Sequence, residues 1–372
     1  MVKKRSFFIN EYGNHCKLQP RLFALCFTRA YSEGVTPTSS PIRFDSSRVS
    51  GEISSFIDYL LPKTHAISEI AQLYAMMREY PSRPGKMIRS RLLIASAIAH
   101  GARFEQALPL AAALELFQNW VLIHDDIEDD SDERRGKPAL HRMYPTSLAI
   151  NAGDALHIYM WQAVHQAGVA GAFEEFLEMI HRTAEGQQMD LVWVAQARWD
   201  VSPSDYLEMV RLKTARYTVV SPLKLGALAA GCIPDERLEL AGLDLGVAFQ
   251  IRDDVLNLDG DFASYGKEIA GDLLEGKRTL MLLHMLEHLS AVEKAEIISI
   301  LEKPRLTKTT ADVERILVLM RNHGSIAFAQ SIANEYETRG LGLLQEALTS
   351  LPVQAAALEI LKTAKSFITR KT

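Results

Sequence analysis

The chain has 372 residues, 48% hydrophobic and 23% charged, and 41 Lys and Arg against 46 Asp and Glu leave a formal net charge of -5. That is the composition of a globular protein with a large core; its acidic balance argues against nucleic acid as the main partner, which calls for a net basic face. Glu115 and Lys224 split the two most apolar stretches, so no run reaches the roughly 18 residues of a membrane-spanning helix, and Cys16, Cys26 and Cys232 alone make neither a disulfide framework nor a CxxC metal site, as in a reducing compartment.

Residues 1–50 carry eight Lys and Arg against Glu11, Glu33 and Asp45. A basic, acid-poor leader reads as a disordered or removable N-terminal extension; an organellar transit segment and a flexible tail share that composition. The expected location is the cytoplasm, or a plastid or mitochondrion if the leader is a transit segment. From about Glu52 onward, apolar residues recur every three or four positions and alternating β-branched runs are few, which predicts helix after helix. The clear segments are the stretch ending at His124, Ser147 to Val164, Glu174 to Ala195, Ser204 to Ala230, and Asp235 to Leu258. Breakers separate them at Gly136-Lys137-Pro138, Gly168 to Gly171, Ser202-Pro203, Ile233-Pro234 and Gly260 to Gly266. Pro222 is expected to kink or shorten the helix that holds it. The reading is an all-α bundle of ten or more helices in a single domain over 51–372.

Two aspartate clusters stand out. His124-Asp125-Asp126-Ile127-Glu128-Asp129-Asp130 ends an apolar helix, where Asp125 and Asp129 lie one turn apart with Asp126 flanking them. Carboxylates packed there repel each other and oppose the negative end of the helix dipole, so a cation must compensate. Hard oxygen donors offered singly suit Mg²⁺; a solvated acidic helix end is the plainer alternative. Gln250-Ile251-Arg252-Asp253-Asp254-Val255-Leu256-Asn257 repeats the arrangement. Glu178 and His181 form a single ExxH step, whereas a di-iron bundle requires two, and there is no GxSxG elbow or P-loop. Lys86, Arg89 and Arg91 follow Pro84-Gly85 in what reads as a basic helix entry able to hold a diphosphate. Arg134 and Arg135 follow the first cluster on a short loop and offer guanidinium forks for phosphate. Lys213-Thr214, Lys267 and Lys277 add further charge.

Together GKxxR at Gly85, DDIEDDSDERRGKP at Asp125, Gly153-Asp154, GQQMD at Gly186, Lys213-Thr214, FQIRDDVLN at Phe249 and YGKEIAGDLLEGKRT at Tyr265 resemble the trans-isoprenyl diphosphate synthase family, in order, from about residue 52 to the end. The resemblance implies a bundle around a deep central cavity, usually in a homodimer. It also implies a Mg²⁺-dependent prenyltransferase that joins isopentenyl diphosphate head to tail to allylic diphosphates. Asp125, Asp126, Asp129 and Asp253 would be the metal ligands for about three Mg²⁺, with Asp254 and Lys213 completing the catalytic set. Arg134, Lys213, Thr214, Gln250 and Lys267 would contact the allylic diphosphate. Lys86, Arg89, Gln118 and Arg135 would hold isopentenyl diphosphate, and Gln118 lies two turns below Asp125 on the same face. Two departures from the family pattern are Asn257, where an Asp is usual, and a basic segment lacking the usual Gly-Gly and Arg-Pro pairs.

In the family a bulky aromatic five residues before the first aspartates floors the pocket and ends growth early. Trp120 occupies that place, roughly 7.5 Å deeper along a helix, with Phe117 and Val121 beside it in the chain-length pocket. A helical wheel turns Trp120 away from the Asp125 face and Val121 nearer to it, so the floor is implied by the resemblance alone, and a plain core role for Trp120 and Phe117 is the lesser alternative. The expected product is geranylgeranyl diphosphate (C20), with farnesyl diphosphate (C15) or a longer polyprenyl diphosphate as alternatives. A class I terpene cyclase and a non-catalytic subunit of a heteromeric synthase are the rivals from other classes. Asp253-Asp254 and the retained Lys86, Arg89 and Arg135 argue against the first, and intact aspartates against the second.

Overall fold

Val49, Ile53, Ile57 and Leu60 recur at helical spacing and are all buried along one face of the first helix, α1 (Ser46–Leu60). The computed structural model describes residues 46–259 and 270–368. Helix α1 starts five residues ahead of the expected boundary at 51 because Val49 already packs into the core. The rest of the expected extension lies outside the described residues. Next come α2 (Ser68–Ser82), α3 (Ile88–Ala99) and α4 (Phe104–Glu128), then a two-residue hairpin, β1 (Glu133–Arg134) with β2 (Lys137–Pro138). After α5 (Leu140–Met143), the long helices α6 (Thr146–Ala167) and α7 (Ala172–Ala195) flank the Gly168 to Gly171 break. Helix α8 (Pro203–Val210) runs through a π-helical stretch, Arg211–Val220, into α9 (Ser221–Ala229). Helix α10 (Glu236–Asp259) follows, then α11 (Gly271–Glu275), α12 (Leu280–His288), α13 (Ala291–Leu301), α14 (Thr310–Asn322), α15 (Ser325–Leu348) and α16 (Gln354–Ile368). The all-α expectation holds, and no described helix is long and apolar enough to cross a membrane.

Pro222 does not end its helix. The backbone widens to π turns just ahead of it, and Ser221 N–H donates to the carbonyl of Arg216, five residues back. Wider turns accommodate a ring that would otherwise meet a carbonyl of the preceding turn. Reciprocal caps start α8 (Ser202 with Asp205), α13 (Ser290 with Glu293) and α14 (Thr309 with Asp312).

Helix α10 packs against α15 and the π-helical stretch, and α4 against α6. Two apolar cores result, one around α3 and α4, the other around α12 and the C-terminal half of α10. Glycines set the closest approaches to the π-helical stretch. A Cβ on Gly246 would lie 2.3 Å from Ala215 Cα, and one on Gly186 would lie 2.3 Å from the Lys213 nitrogen. Gly246→Ala is therefore expected to destabilise the protein by about 1–3 kcal/mol through overpacking. Gly51→Ala, with nothing within 4 Å, is expected to stabilise by about 0.5–1 kcal/mol. Chemical denaturation of both variants checks the contrast; equal effects would refute it.

Candidate active site

A cavity of about 680 Å³ opens between the C-terminal ends of α4 and α10. At its mouth, adjacent aspartates have different fates, because successive residues of a helix point about 100° apart. Asp125 lines the cavity and lies 3.3 Å from the Gln187 amide nitrogen of α7. Asp126 is fully buried. Both of its oxygens accept from Arg134 Nε, at 2.8 and 3.1 Å, and Tyr80 O–H donates to Oδ2 at 2.6 Å. Asp126, expected as a metal ligand, gives its acceptor capacity here to a guanidinium and a phenol and does not line the cavity. Asp129 caps α4, its N–H donating to the Asp125 carbonyl at 2.8 Å. It borders an adjoining hollow of about 310 Å³ shared with Asp125, Asn257, Asp272 and Glu275.

The second cluster divides by burial, although both of its aspartates border the cavity. Asp253 lines the cavity. Asp254 is buried and accepts from Tyr206 O–H at 2.6 Å and from the Gln250 amide at 2.7 Å, while Thr214 O–H donates to Gln250 Oε1 at 2.9 Å. Thr214 and Gln250, expected on a diphosphate, both border the cavity, and Gln250 links Thr214 to Asp254. Asn257 Oδ1 accepts from the Asp272 N–H at 3.2 Å, tying α10 to the start of α11. Lys267 lies outside the described residues.

Cations offset this charge. Lys213, in the π-helical stretch, donates to Asp190 of α7 at 2.6 Å and lies 3.7 Å from Asp125. Lys277 donates to Asp129 at 2.6 Å and lies 2.9 Å from Glu275. Burial disfavours charge on both ammoniums, but Asp190 and Asp125 around the first, and Asp129 and Glu275 around the second, hold their pKa values above the usual lysine range. Burial pushes Asp129 up to about 6 against the pull of Lys277, and pushes Asp254 up to about 6 despite its two donors.

A second cationic patch borders the cavity beside α3. Helix α3 begins at Ile88, not at Gly85, because Met87 takes a left-handed conformation (φ 44°). Lys86 therefore sits on the entering loop and Arg89 in the first turn. Arg89 lies over the Tyr217 ring at 4.5 Å and donates to Thr218 Oγ1 at 3.0 Å. Arg135 and Gly136, with φ of 54° and 72°, make the two-residue hairpin turn. Positive φ at both positions is the pattern whose twist matches the strands, and at Arg135 it is strained for a residue with a Cβ. The turn points Arg135 at Asn119 Oδ1 (3.3 Å) and the Tyr80 carbonyl (3.2 Å). Buried Gln118 lies alongside, its Oε1 without a partner. Glu115, at the base of the patch, accepts from Ser90 O–H at 2.6 Å, and burial raises its pKa.

Below the charges, Phe117, Trp120, Val121 and Leu122 all line the cavity. Both Trp120 and Val121 reach it, although the helical wheel favours only Val121, because the cavity curves around α4. Sequence reasoning assigned no role to Asp190, Tyr80 or Tyr206, and counted Lys277 only as one of several scattered cations. Asp190 and Lys277 lie within quoted motifs, one turn after Gly186 and one residue after Gly276; the tyrosines carry no local signal.

The polyprenyl synthetase family profile matches residues 70–320. The chain is 34% identical over 286 residues to a geranylgeranyl diphosphate synthase of Saccharolobus solfataricus, covering 74% of this chain and 84% of the relative. It is 36% identical over 236 residues to a short chain isoprenyl diphosphate synthase of Methanocaldococcus jannaschii, covering 62% and 71%. The crystal structure of geranylgeranyl pyrophosphate synthase from Corynebacterium glutamicum, complexed with isoprenyl diphosphate and magnesium, superposes with a TM-score of 0.78 at 27% identity, covering 88% of this chain and all of that one.

The split between adjacent aspartates predicts opposite phenotypes. Asp126→Ala leaves the guanidinium of Arg134 buried without its partner and is expected to cost about 3–5 kcal/mol of stability. Asp125→Asn, at the cavity edge, is expected to change stability by less than about 1 kcal/mol while abolishing activity. Denaturant titration beside a turnover assay checks both, and equal destabilisation would refute the division.

Proposed function

The chain belongs to the polyprenyl synthetase family, and on that premise we propose that it condenses isopentenyl diphosphate head to tail with allylic diphosphates to an all-trans C20 product. One arrangement supports this most: carboxylate-bearing helix ends and lysines gathered at the mouth of a cavity whose lower wall is aromatic.

Among the described residues, no three carboxylates, imidazoles or thiolates converge into a closed cage. Asp125, Asp129 and Asp253 instead offer hard oxygens from two sides. That donor set fits Mg²⁺, which keeps several waters and completes its shell with phosphate oxygens, and about three ions spread over one diphosphate would match it. When bound, the ions supply charge neutralisation to the leaving diphosphate. Lys213 and Lys277 act at the same place: negative charge grows on the departing oxygens, and ammoniums already held by Asp190 and Asp129 stabilise it without reorganising. Arg134, Thr214 and Gln250 keep the carboxylates oriented during that step. Lys86, Arg89, Gln118 and Arg135 hold isopentenyl diphosphate, so that its double bond faces the allylic carbon as the C–O bond breaks. The new C–C bond forms on the allylic cation, and a proton then passes to the departing diphosphate. Phe117, Trp120 and Val121 keep water from the cation. Two separate cationic patches favour a two-diphosphate condensation over a cyclase. Trp120, close below Asp125, favours C20 over longer chains.

Exposed Ile158 of α6 and Phe173 and Leu177 of α7 form an apolar stripe, and we assign it to a homodimer contact; light scattering checks this, and a monomer would refute it. Incubating the protein with Mg²⁺, isopentenyl diphosphate and each primer from C5 to C15 is expected to yield one C20 diphosphate by mass spectrometry. Trp120→Ala is expected to lengthen that product. No elongation from any primer would overturn the proposed reaction, and unchanged length in the variant would remove the floor. Metal binding is expected to be proton-linked. Asp129 is raised to about 6 in the folded protein, so it gains a proton as pH falls through that value, and a cation bound there must displace it. Magnesium affinity should then be weaker at about pH 5.5 than at about pH 7.5, with proton release on binding; calorimetry in buffers of different ionisation enthalpy would show a flat dependence if this is wrong.

A further inference from the structure

The aromatic floor is a chain of ring contacts. Trp120 meets His157 of α6 face to face, with centroids 4.1 Å apart and planes 16° from parallel. Its contacts with Phe117 and His124 are edge-on, at 5.7 and 6.1 Å. His157 is itself held: its Nε2 accepts from Trp161 Nε1–H at 2.8 Å, one turn further along α6. Accepting at Nε2 puts the proton of the neutral imidazole on Nδ1 and fixes the ring plane. Trp161 lies against Phe173 (5.0 Å) and Phe176 (6.3 Å) of α7. Gly153, one turn before His157, leaves the necessary room, since a Cβ there would sit 2.5 Å from His124 Nε2 and 3.4 Å from Trp120 Cδ1.

Trp120 has no hydrogen bond of its own, its Nε1 being buried without a partner. Packing alone therefore holds the indole, and the flat contact with His157 is the one that spans its face. A growing prenyl chain that reaches Trp120 pushes on that indole, and an edge contact cannot stop it from swinging aside. We propose that His157 is a positioning residue for product length: it backs Trp120 and, through Trp161, passes the load to the packing of α6 on α7. This rests on the reading of Trp120 as the cavity floor.

The test measures product length by mass spectrometry for wild type, Trp120→Ala, His157→Ala, His157→Phe and Trp161→Phe, with tryptophan fluorescence and KM for isopentenyl diphosphate recorded for each. His157→Ala is expected to shift the main product by at least one five-carbon unit, with KM near wild type and altered tryptophan emission. His157→Phe keeps a flat ring against the indole and is expected to restore wild-type length. Should His157→Ala fail to fold, Trp161→Phe decides: it removes the N–H donor while keeping an aromatic ring at that place, and a mixture containing longer chains is expected. Wild-type length in His157→Ala, or in Trp161→Phe where that variant decides, while Trp120→Ala lengthens the product, overturns the role of His157 and leaves the floor standing. Lengthening by His157→Phe as great as by His157→Ala also overturns it. Unchanged length in Trp120→Ala removes the floor, and this inference with it.

Discussion

Carboxylates must be held at one end of an apolar cavity against their own repulsion. Helices α4 and α10 both bring aspartates there at their C-terminal ends, where backbone carbonyls add further negative potential. Burial makes the crowding worse, since an unpaired charge out of water is costly. Lys213, Lys277 and Arg134 supply the compensation, each on its own carboxylate partner. The same cations then border the space where a diphosphate would sit, so the groups that stabilise the carboxylates are already turned toward that space.

The two clusters solve this in parallel. In each, the first aspartate faces the cavity and the next, one helical step round, is the buried inward member, Asp126 off the cavity wall and Asp254 still bordering it. The inward member receives a tyrosine O–H at 2.6 Å in both cases, Tyr80 for Asp126 and Tyr206 for Asp254. A buried carboxylate tied in this way restricts rotation of the helix end that carries it. The first aspartate of each pair is thus aimed by its neighbour as much as by its own contacts.

Helix existence and the two clusters were legible in the chain because both are local: apolar spacing and adjacent acidic residues involve only a few consecutive positions. What escaped depends on distant partners. Nothing around Tyr80 marks it as a support for Asp126, 46 residues away, and Asp126 itself reads as a twin of Asp125 until Arg134 folds back onto it. The entry to α3 shifted because a left-handed Met87 is not a preference that its side chain announces. The helical wheel misplaced Trp120 for a related reason: it treats the cavity as lying on one side of α4, whereas the wall follows the helix from Gln118 to Leu122.

Mouth and floor have different supports even though α4 carries both. The mouth is fixed by directional bonds from the hairpin, the π-helical stretch and α10. The floor is fixed by ring packing from α6 and α7, which tolerates a change of shape more readily than a network of ion pairs does. Motion of α4 would couple them, but two restraints oppose it: the Asp126, Arg134 and Tyr80 group at its C-terminal end, and the close approach of Gly153 to His124. With the helix pinned at that end, side chains further down can exchange size without moving the aspartates. On the proposed reading, product length can then change by replacing rings at the floor while the charged mouth stays as it is.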